Sequence, residues 1–408
     1  MEKGKNNTRF ADGIIVCLFL LVLFIPGIIS LMNHVYPLPL FMKLNGYQDK
    51  VEVPPLSAEN YFNGEFQDKF SQNSEQDLSI RALFVKTANT LQWYAFRYTN
   101  TNVLITEDEN LFEYVYADAE YAIDDYDFHK EEVKEEADQV IEHLASVRNK
   151  LKSVGKELVV MLCPSKAMFT HDQLDPIYQE KKEADAINGR EYYLQALKEK
   201  GLPFVDSASY ANEAKYPLFY PYGIHWSLTY GQLCTTKLID RCEELTGNTY
   251  DNLVLDEVIE SKSPFRNEED LLWLMNVVSI GKTPTYHKYV EKREHNPNSK
   301  PLKIFLYGDS FGEMIQAFIQ TTIEEDDVTL LNRNQFVCEG DGCNVSMDRP
   351  LQEINHDFNN VDLKRHLDES DVVVIEMVDP ELAKFTYGFA EYLDGYLDSY
   401  IADRKAGK

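Results

Sequence analysis

The sequence LKIFLYGDSFGEMIQ, residues 302–316, joins an apolar run to a segment with the composition of a helix. The run at 304–307 predicts a buried strand, and the residues after Ser310 predict a helix. A strand that turns at once into a helix holds the intervening side chain at the carboxyl edge of a sheet, beside helix amides that can bind an oxyanion. The stretch therefore predicts Ser310 as a nucleophile, although Gly308-Asp309-Ser310 alone would also serve as a simple helix cap.

The remainder of the chain continues this alternation of strands and helices. The predicted strands are 102–106, 157–162, 203–205, 302–307, 328–331 and 372–376, and the predicted helices are 78–98, 129–152 and 191–200. Strand, helix and strand in turn imply a parallel sheet covered by helices. We therefore expect an α/β fold.

Several polar side chains are predicted near strand ends, where the active groups of such sheets collect. Asp206, Lys166, Arg333 and Glu376 fall there with Ser310, so one crevice is able to hold all five. Simpler roles are open to three of them. Asp206 would cap the helix that follows, Lys166 would be solvated in a loop, and Glu376 would pair with a neighbouring helix.

Length and composition indicate a globular chain and exclude some partners. With 408 residues, 44% hydrophobic and 26% charged, the chain has room for one large or two ordinary domains. The formal net charge is −28, from 68 acidic and 40 basic residues. Such a surface repels phosphate and anionic lipid, and no basic stripe is present, so nucleic acid is not an expected partner.

One segment is long and apolar enough to cross a bilayer. Residues 13–32 read GIIVCLFLLVLFIPGIISLM, and Lys3, Lys5 and Arg9 precede them, which predicts a cytoplasmic amino terminus. A cleaved signal peptide is the alternative, although the run is long for one. The predicted organisation is a cytoplasmic tail at 1–12, a transmembrane anchor at 13–32, a stalk at 33–76 and an extracytoplasmic domain at 77–408.

The cysteines leave one pairing open. Cys338 and Cys343 bracket Glu-Gly-Asp-Gly, a loop that would close as a local disulfide in an oxidising compartment or keep two thiols. No histidine accompanies them at the spacing of a zinc site, so we expect no metal and no cofactor.

A serine hydroxyl needs a base, and neutral histidine is the side chain best suited to that role near pH 7. His225, in Tyr222-Gly223-Ile224-His225-Trp226, is the preferred candidate because its segment looks like a loop. His171, His287 and His295 are weaker alternatives. No carboxylate lies within three residues of His225 on either side.

Five stretches together resemble a known family. They are residues 103–112, residues 159–166 ending in Pro-x-Lys, residues 204–206, His225-Trp226 with Gly231 five positions on, and Gly308-Asp309-Ser310-Phe311. In this order they resemble the alginate O-acetyltransferases, the AlgJ, AlgX and DHHW relatives among membrane-anchored SGNH-hydrolase-like proteins. The histidine precedes the serine, as in the circularly permuted SGNH-hydrolase-like fold of that family.

The resemblance implies a nucleophile and a base but lacks an acid. By it, Ser310 is the nucleophile and His225 the base, whereas Gly223 stands where the family pattern Asp-x-His-Trp has aspartate. Three interpretations follow: a serine-histidine dyad, a carboxylate from another loop, or a fold kept for binding. Asp309 is adjacent to the serine and available for recruitment, although its side chain would more naturally point away from Ser310.

The resemblance also implies an activity and partners. It predicts an O-acetyltransferase that uses an acyl-serine to modify an exported polysaccharide, with a membrane-bound O-acyltransferase as acetyl donor. An esterase of the same fold and a non-catalytic subunit that binds polysaccharide or the membrane partner remain alternatives.

Overall fold

A computed structural model describes residues 2–36, 44–45, 51–76, 78, 80–99, 101–265, 267–278, 281–323, 325–333, 337–339, 342–343, 358 and 361–407. Its helices are α1 (Glu2–Val35), α2 (Ala58–Phe62), α3 (Glu65–Gln76), α4 (Arg81–Phe96), α5 (Tyr114–Glu120), α6 (Glu131–Ser153), α7 (Lys166–Thr170), α8 (Pro176–Lys181), α9 (Gly189–Glu199), α10 (Leu228–Thr246), α11 (Asp270–Leu274), α12 (Ser310–Thr322), α13 (Leu363–Glu369) and α14 (Phe389–Lys405). Its strands are β1 (Val103–Ile105), β2 (Leu111–Glu113), β3 (Glu157–Cys163), β4 (Phe204–Asp206), β5 (Asn252–Ser261), β6 (Tyr286–Glu294), β7 (Lys303–Gly308), β8 (Asp327–Asn332), β9 (Val337–Glu339), β10 (Gly342–Cys343) and β11 (Val372–Val378).

The chain forms two compact units. The smaller comprises Met1–Thr101 and Leu272–Gly281, and the larger comprises Asn102–Leu271 and Lys282–Lys408. Within the smaller unit, the segment after α11 is tied to α4 because Asn89 donates to the Met275 carbonyl at 2.8 Å and Val278 donates to Thr90 Oγ1 at 2.8 Å.

Helix α1 contains the predicted anchor. Gly13–Asn33 has a mean hydropathy of 3.1, and none of it is buried in the structure, so the helix is long and apolar enough to cross a membrane. Pro26 lies inside the helix. Within the predicted stalk, α2 and α3 are helical, with Ser57 capping α2.

The larger unit is built on a seven-stranded sheet in the order β10-β9-β8-β7-β11-β3-β4. The five strands from β8 to β4 run parallel, and β9 pairs antiparallel with β8 and with β10. This confirms the α/β prediction, including strands β3, β4, β7, β8 and β11. Parallel strands of this kind are apolar on both faces because helices cover both.

Alternate residues of the central strand face the two helical layers. Val373, Ile375 and Met377 of β11 join the core formed with α6, α9 and α14. Glu376 faces the other side, where α12 approaches it at Gly312. The amphipathic helix predicted at 129–152 is α6, and it buries Leu144, Val147 and Leu151 in that core.

The antiparallel pair formed by β5 and β6 lies outside the predictions. Strands β5 and β6 form an antiparallel pair with an irregularity between Leu255 and Glu257. Most of β5 is only partly buried or exposed, and its sequence NLVLDEVIES mixes apolar and acidic residues. The chain that follows β5 carries Asp270.

Candidate active site

The turn that carries Ser310 is fixed by its neighbour Asp309. Strand β7 ends at Gly308 and α12 begins at Ser310, as the sequence predicted. Asp309 Oδ1 accepts the Phe311 N–H at 2.8 Å and Oδ2 accepts the Val378 N–H at 2.9 Å. Its carboxylate therefore caps α12 and ties the turn to the end of β11, and it is not the acid that orients His225.

The glycines of this turn make room for Glu376. A Cβ atom on Gly308 would lie 2.5 Å from Glu376 Oε2, and one on Gly312 would lie 2.9 Å from it. Glu376 also accepts the Asp309 N–H at 3.2 Å and a hydrogen bond from the Gly312 backbone. It lies inside β11, fully buried, and not in a crevice beyond the strand end, which corrects the expectation.

The carboxyl of Glu376 has a raised pKa. Burial, followed by the charge of Asp309, holds the pKa of Glu376 well above its usual value of 4.5. Burial, followed by the charge of Glu381, also raises the pKa of Asp309, to about 6, and the hydrogen bonds from the Val378 and Phe311 N–H groups oppose that rise. The amide of Gly312 is already bonded to Glu376, and that of Phe311 to Asp309, so these two do not face a substrate.

His225 contacts Ser310 and a carboxylate at the same time. Its Nε2 lies 2.7 Å from Ser310 Oγ, and its Nδ1 lies 2.5 Å from Asp270 Oδ2. A carboxylate at Nδ1 requires the proton there, which leaves Nε2 free to accept the serine proton. His225 is buried, and Ser310 is only partly so. The three side chains have the geometry of a serine–histidine–aspartate triad.

The environment of His225 makes it a stronger base. Burial disfavours the imidazolium and lowers the pKa of His225, but the hydrogen bond to Asp270 and the negative charge of Asp270 outweigh the effect of burial. The pKa of His225 is therefore raised above 6.5. Asp309 and Glu313 add to the rise.

Asp270 places at His225 the carboxylate that the sequence seemed to lack. It accepts the Ile224 N–H at 2.9 Å and the Leu271 N–H at 2.8 Å through Oδ1, while Oδ2 faces the imidazole. Of the three interpretations, the one that takes a carboxylate from another loop describes this geometry. Sequence reasoning missed Asp270 because it lies 45 positions from His225, and its only local signal was an acidic run ahead of an apolar one.

The same segment explains the glycine at position 223. A Cβ atom there would lie 2.6 Å from the Glu268 carbonyl oxygen and 3.2 Å from that of Asn267. Real Cβ atoms do not approach backbone so closely, so residues 267–268 occupy the space that a side chain at 223 would need. The carboxylate that faces His225 therefore comes from Asp270. The backbone just before Asp270 fills the space that the side chain of an aspartate at position 223 would occupy.

The tryptophan after the base also has a packing role. Trp226 is fully buried, and its ring lies edge-on to Phe311 with centroids 4.9 Å apart. A Cβ atom on Gly231 would lie 2.6 Å from Trp226 Nε1. The His-Trp pair and the glycine five residues later are therefore linked by close packing of the indole against α10.

Lys166 is buried, so the simpler alternative of a solvated loop residue is wrong. It begins α7 directly after the Ser165 cap, and only 1% of it is exposed. Its Nζ lies within 3.4 Å of three carbonyl oxygens, those of Tyr220, Pro221 and Gly223. The lysine therefore contacts the turn that leads to His225.

Asp206 and Arg333 are engaged by other partners. Asp206 makes no cap hydrogen bond; its carboxylate accepts from buried Arg190, which also binds Asp379 at 2.7 Å. Arg333 donates its backbone N–H to the Gly308 carbonyl at 2.8 Å, and its guanidinium binds Glu381 at 2.7 Å. The structure places Arg333 beside the serine turn, whereas Asp206 belongs to an ion-pair network.

Two glutamates near the triad escaped the sequence reasoning. Burial raises the pKa of Glu313 to about 7 against the opposing effect of His225. Burial, followed by Asp270, raises the pKa of Glu113, while His225 and Arg333 oppose the rise. Glu313 accepts from Asn332 Nδ2 at 2.9 Å, so it is held beside the end of β8.

The remaining candidates contact other groups or lie outside the described residues. His287 contacts the Tyr220 hydroxyl at 3.0 Å. The backbones of Cys338 and Cys343 are paired in register, but their side chains lie outside the described residues, so their pairing stays a prediction. Across the described part of the chain, no group of three or more His, Cys, Asp or Glu is placed to hold a metal ion.

Comparison with known proteins identifies the class. The family model for the SGNH hydrolase-like domain of acetyltransferase AlgX matches residues 123–326, half of the chain, and this range includes His225, Asp270 and Ser310. The chain belongs to this family of acetyltransferases, as the motifs predicted.

Solved structures give more distant likenesses. The O-acetyltransferase domain of Pseudomonas putida AlgJ is 15% identical, with 72% of this chain and 99% of that chain covered and a TM-score of 0.44. Pseudomonas aeruginosa AlgX is 13% identical, with 72% and 66% covered and a TM-score of 0.41. Bacillus cereus PatB1 is 11% identical, with 69% and 97% covered and a TM-score of 0.38. Among curated protein sequences, none matches the chain.

Proposed function

We propose that the protein is an O-acetyltransferase that carries an acetyl group on Ser310 and passes it to a hydroxyl of an exported polysaccharide. The observation that carries this proposal is the continuous contact from Ser310 Oγ through His225 to Asp270, at 2.7 and 2.5 Å. Membership in an acetyltransferase family supports the acyl group, since the domain match spans all three residues.

The geometry suits two successive acyl transfers. In the first, His225 Nε2 takes the Ser310 proton as Oγ attacks the acetyl carbonyl, and the imidazolium then gives that proton to the leaving group. In the second, His225 takes the proton of an acceptor hydroxyl, whose oxygen attacks the acetyl-serine, and the proton returns to Ser310. Asp270 holds the imidazole and stabilises its charged form in both steps.

The amino-terminal helix supports the proposed donor and cellular location. With α1 as an anchor and Lys3, Lys5 and Arg9 on the cytoplasmic side, the larger unit faces outward. Acetyl donors are cytoplasmic, so an outward-facing transferase needs a membrane-bound O-acyltransferase to deliver acetyl groups. Protease added to intact cells tests this placement: an uncleaved domain would contradict it.

The two alternatives differ from the proposal in distinct ways. An esterase would use the same three residues but accept water in the second step. A non-catalytic subunit drew its support from Gly223, and Asp270 at the imidazole weakens that support because a binding protein has no need of an aligned serine, histidine and carboxylate.

The test uses the full chain in detergent with 4-nitrophenyl acetate as donor and neutral or uronate oligosaccharides as acceptors. Mass spectrometry counts acetyl groups on the sugar, and released acetate is measured in parallel. Ser310→Ala should lower transfer on the order of 10⁶-fold, to background, because the nucleophile is lost. Ser399→Ala, on the exposed face of α14, is the matched control and should behave as wild type.

The outcomes separate the three functions. Acetylated sugar from wild type but not from Ser310→Ala supports the transferase. Acetate release without acetylated sugar on any acceptor would favour the esterase, and no serine-dependent turnover at all would favour the binding subunit.

A further inference from the structure

Lys166 sits in a cage of backbone carbonyls beneath the histidine turn. Its Nζ lies 2.7 Å from the Gly223 oxygen, 3.0 Å from that of Pro221 and 3.4 Å from that of Tyr220. The face of the Phe112 ring lies on another side, with its centroid 4.6 Å from Nζ. Three acceptors and an aromatic face match the three N–H donors and positive charge of an ammonium group.

One peptide group joins this cage to the triad. The Gly223 carbonyl accepts from Lys166 at 2.7 Å, and the N–H of the same peptide, on Ile224, donates to Asp270 Oδ1 at 2.9 Å. The peptide dipole is thus held with its oxygen against a cation and its N–H against an anion. Polarised hydrogen bonds in a low-dielectric interior strengthen one another. The contacts then run from Asp270 to His225 and on to Ser310.

We infer that Lys166 is a positioning residue that orients Asp270 and His225 through the Gly223–Ile224 peptide. The inference rests on the proposed function only in taking Ser310 as the nucleophile. Lys166 touches no reacting atom, and its charge acts through the peptide, the carboxylate and the imidazole in sequence. Gly223 contributes to this arrangement because its lack of a side chain allows residues 267–268 to pack directly against the Gly223–Ile224 peptide.

The ammonium form is the one that fits the cage. A neutral amine has two N–H donors, and its lone pair would face one of the three carbonyls. Burial lowers the pKa of Lys166 to about 7, and the negative charge of Asp270 opposes the fall. Beyond Asp270, the ionisable groups are His225 and Glu113, each coupled to that carboxylate. The orienting effect should therefore fade as pH rises through the neutral range.

Reaction of Ser310 with a fluorophosphonate measures this effect without an acetyl donor or a sugar. In the full chain, the labelling rate should rise as His225 loses its proton and fall as Lys166 loses its own. Lys166→Met removes the charge but keeps much of the volume. We expect it to lower the labelling rate at neutral pH by about 10- to 100-fold, the scale of a misplaced catalytic group, and to abolish the alkaline decline.

Two further variants keep the test informative if Lys166→Met unfolds. Lys166→Arg retains a permanent charge, so labelling should recover toward wild type and stay high at alkaline pH. Phe112→Leu removes the ring beneath the ammonium, so the alkaline decline should begin at lower pH. Lys156→Met is the matched control: it removes a buried lysine that donates to the Ser370 carbonyl at the opposite end of β3 and should leave the pH profile unchanged.

Each outcome decides. Folded Lys166→Met protein with the wild-type rate and pH profile would overturn the inference, as would an unmoved alkaline limb in both Lys166→Arg and Phe112→Leu. If all variants show the expected fluorophosphonate profiles but wild type transfers no acetyl group to any sugar, the positioning role of Lys166 stands and the proposed transferase function is wrong. No labelling of wild type would reject both.

Discussion

The two partners of His225 are built in opposite ways. Ser310 lies on the turn between β7 and α12, and β7 lies between β8 and β11 in the main sheet. Hydrogen bonds from the Asp309 N–H to Glu376 and from the Val378 N–H to Asp309 tie this turn to β11. Asp270 lies in the connection between β5 and β6, which pair with each other outside the main sheet, and the backbone just before it packs against Gly223. The serine is held by buried strands and hydrogen bonds, whereas the acid depends on how a separate segment docks. Changes near Asp270 should therefore alter catalysis more readily than they alter the sheet.

Removing the charge of Asp270 is the strongest way to test the acid. Asp270→Asn should lower turnover of 4-nitrophenyl acetate by about 10⁴-fold, because an amide does not hold the imidazole in the required tautomer. Thermal stability should change little, since an amide oxygen still accepts the Ile224 and Leu271 N–H groups. Asp256→Asn is the control; it removes an exposed pairing with Lys292 on the same hairpin and should leave turnover unchanged.

The pH profile of Asp270→Asn adds a second readout. A protonated imidazole cannot accept the serine proton, so wild-type kcat/KM should fall as pH drops through the pKa of His225, which lies above 6.5. Without the hydrogen bond and charge of Asp270, burial would lower that pKa, and the limb should move to lower pH. If the acidic fall of kcat/KM stays at the same pH in Asp270→Asn, a group other than His225 controls it.

A substitution at Gly223, where the family pattern has aspartate, should have the next largest effect on turnover. Gly223→Asp should reduce turnover by about 100-fold and destabilise the fold by roughly 1–3 kcal/mol, because its Cβ would meet the Glu268 carbonyl at 2.6 Å. Ester hydrolysis and thermal unfolding measure the two effects. A serine-histidine dyad predicts the reverse, since a new carboxylate would then raise the rate.

A glycine elsewhere supplies the matched control. Gly395 lies in α14, and a Cβ atom there meets nothing within 4 Å. Gly395→Ala should stabilise the protein by about 0.4–1 kcal/mol and leave turnover unchanged. Higher turnover in Gly223→Asp than in wild type would show that Asp270 does not act as the acid.

The same contrast explains what the sequence could and could not predict. The serine turn was predictable because an apolar strand, a glycine, a capping aspartate and a helix occur within a few residues. Strands β3, β4 and β11 were predictable from their apolar runs, and α6 from its periodicity. These signals are local, so they survive without knowledge of the fold.

The rest of the site depends on contacts between distant segments. Strand β5 pairs with β6, and only Leu253 of its residues is buried, so its sequence carries no buried run. The interaction of Asp270 with His225 exists only once that connection packs against Gly223. The burial of Lys166 was not predictable because lysine is seldom buried. Its partners are backbone carbonyls, which every residue has, so the sequence does not indicate them.

The smallest expected effect concerns the acid beneath the serine turn. Glu376→Gln should keep turnover within about threefold and stability near pH 4 within about 1 kcal/mol, because below its usual pKa of 4.5 the carboxyl is largely protonated in the folded and the unfolded chain alike, and an amide oxygen can accept the Asp309 and Gly312 N–H groups. Glu376→Ala, in contrast, leaves a cavity and unpaired amides and should cost about 2–4 kcal/mol. Both are measured by denaturant unfolding and ester hydrolysis.

The pH dependence of Glu376→Gln distinguishes a neutral acid from a buried carboxylate. In wild type, the pKa of Glu376 is raised on folding, so above about pH 4.5 the unfolded chain loses a proton that the folded chain keeps, and stability falls as pH rises toward the folded pKa. Glutamine does not ionise, so Glu376→Gln lacks this fall in stability with pH. Its stability relative to wild type should therefore increase with pH, most clearly above pH 5. A relative stability that instead decreases with pH would mean that Glu376 is ionised in the folded protein, and that the serine turn rests on two adjacent negative charges.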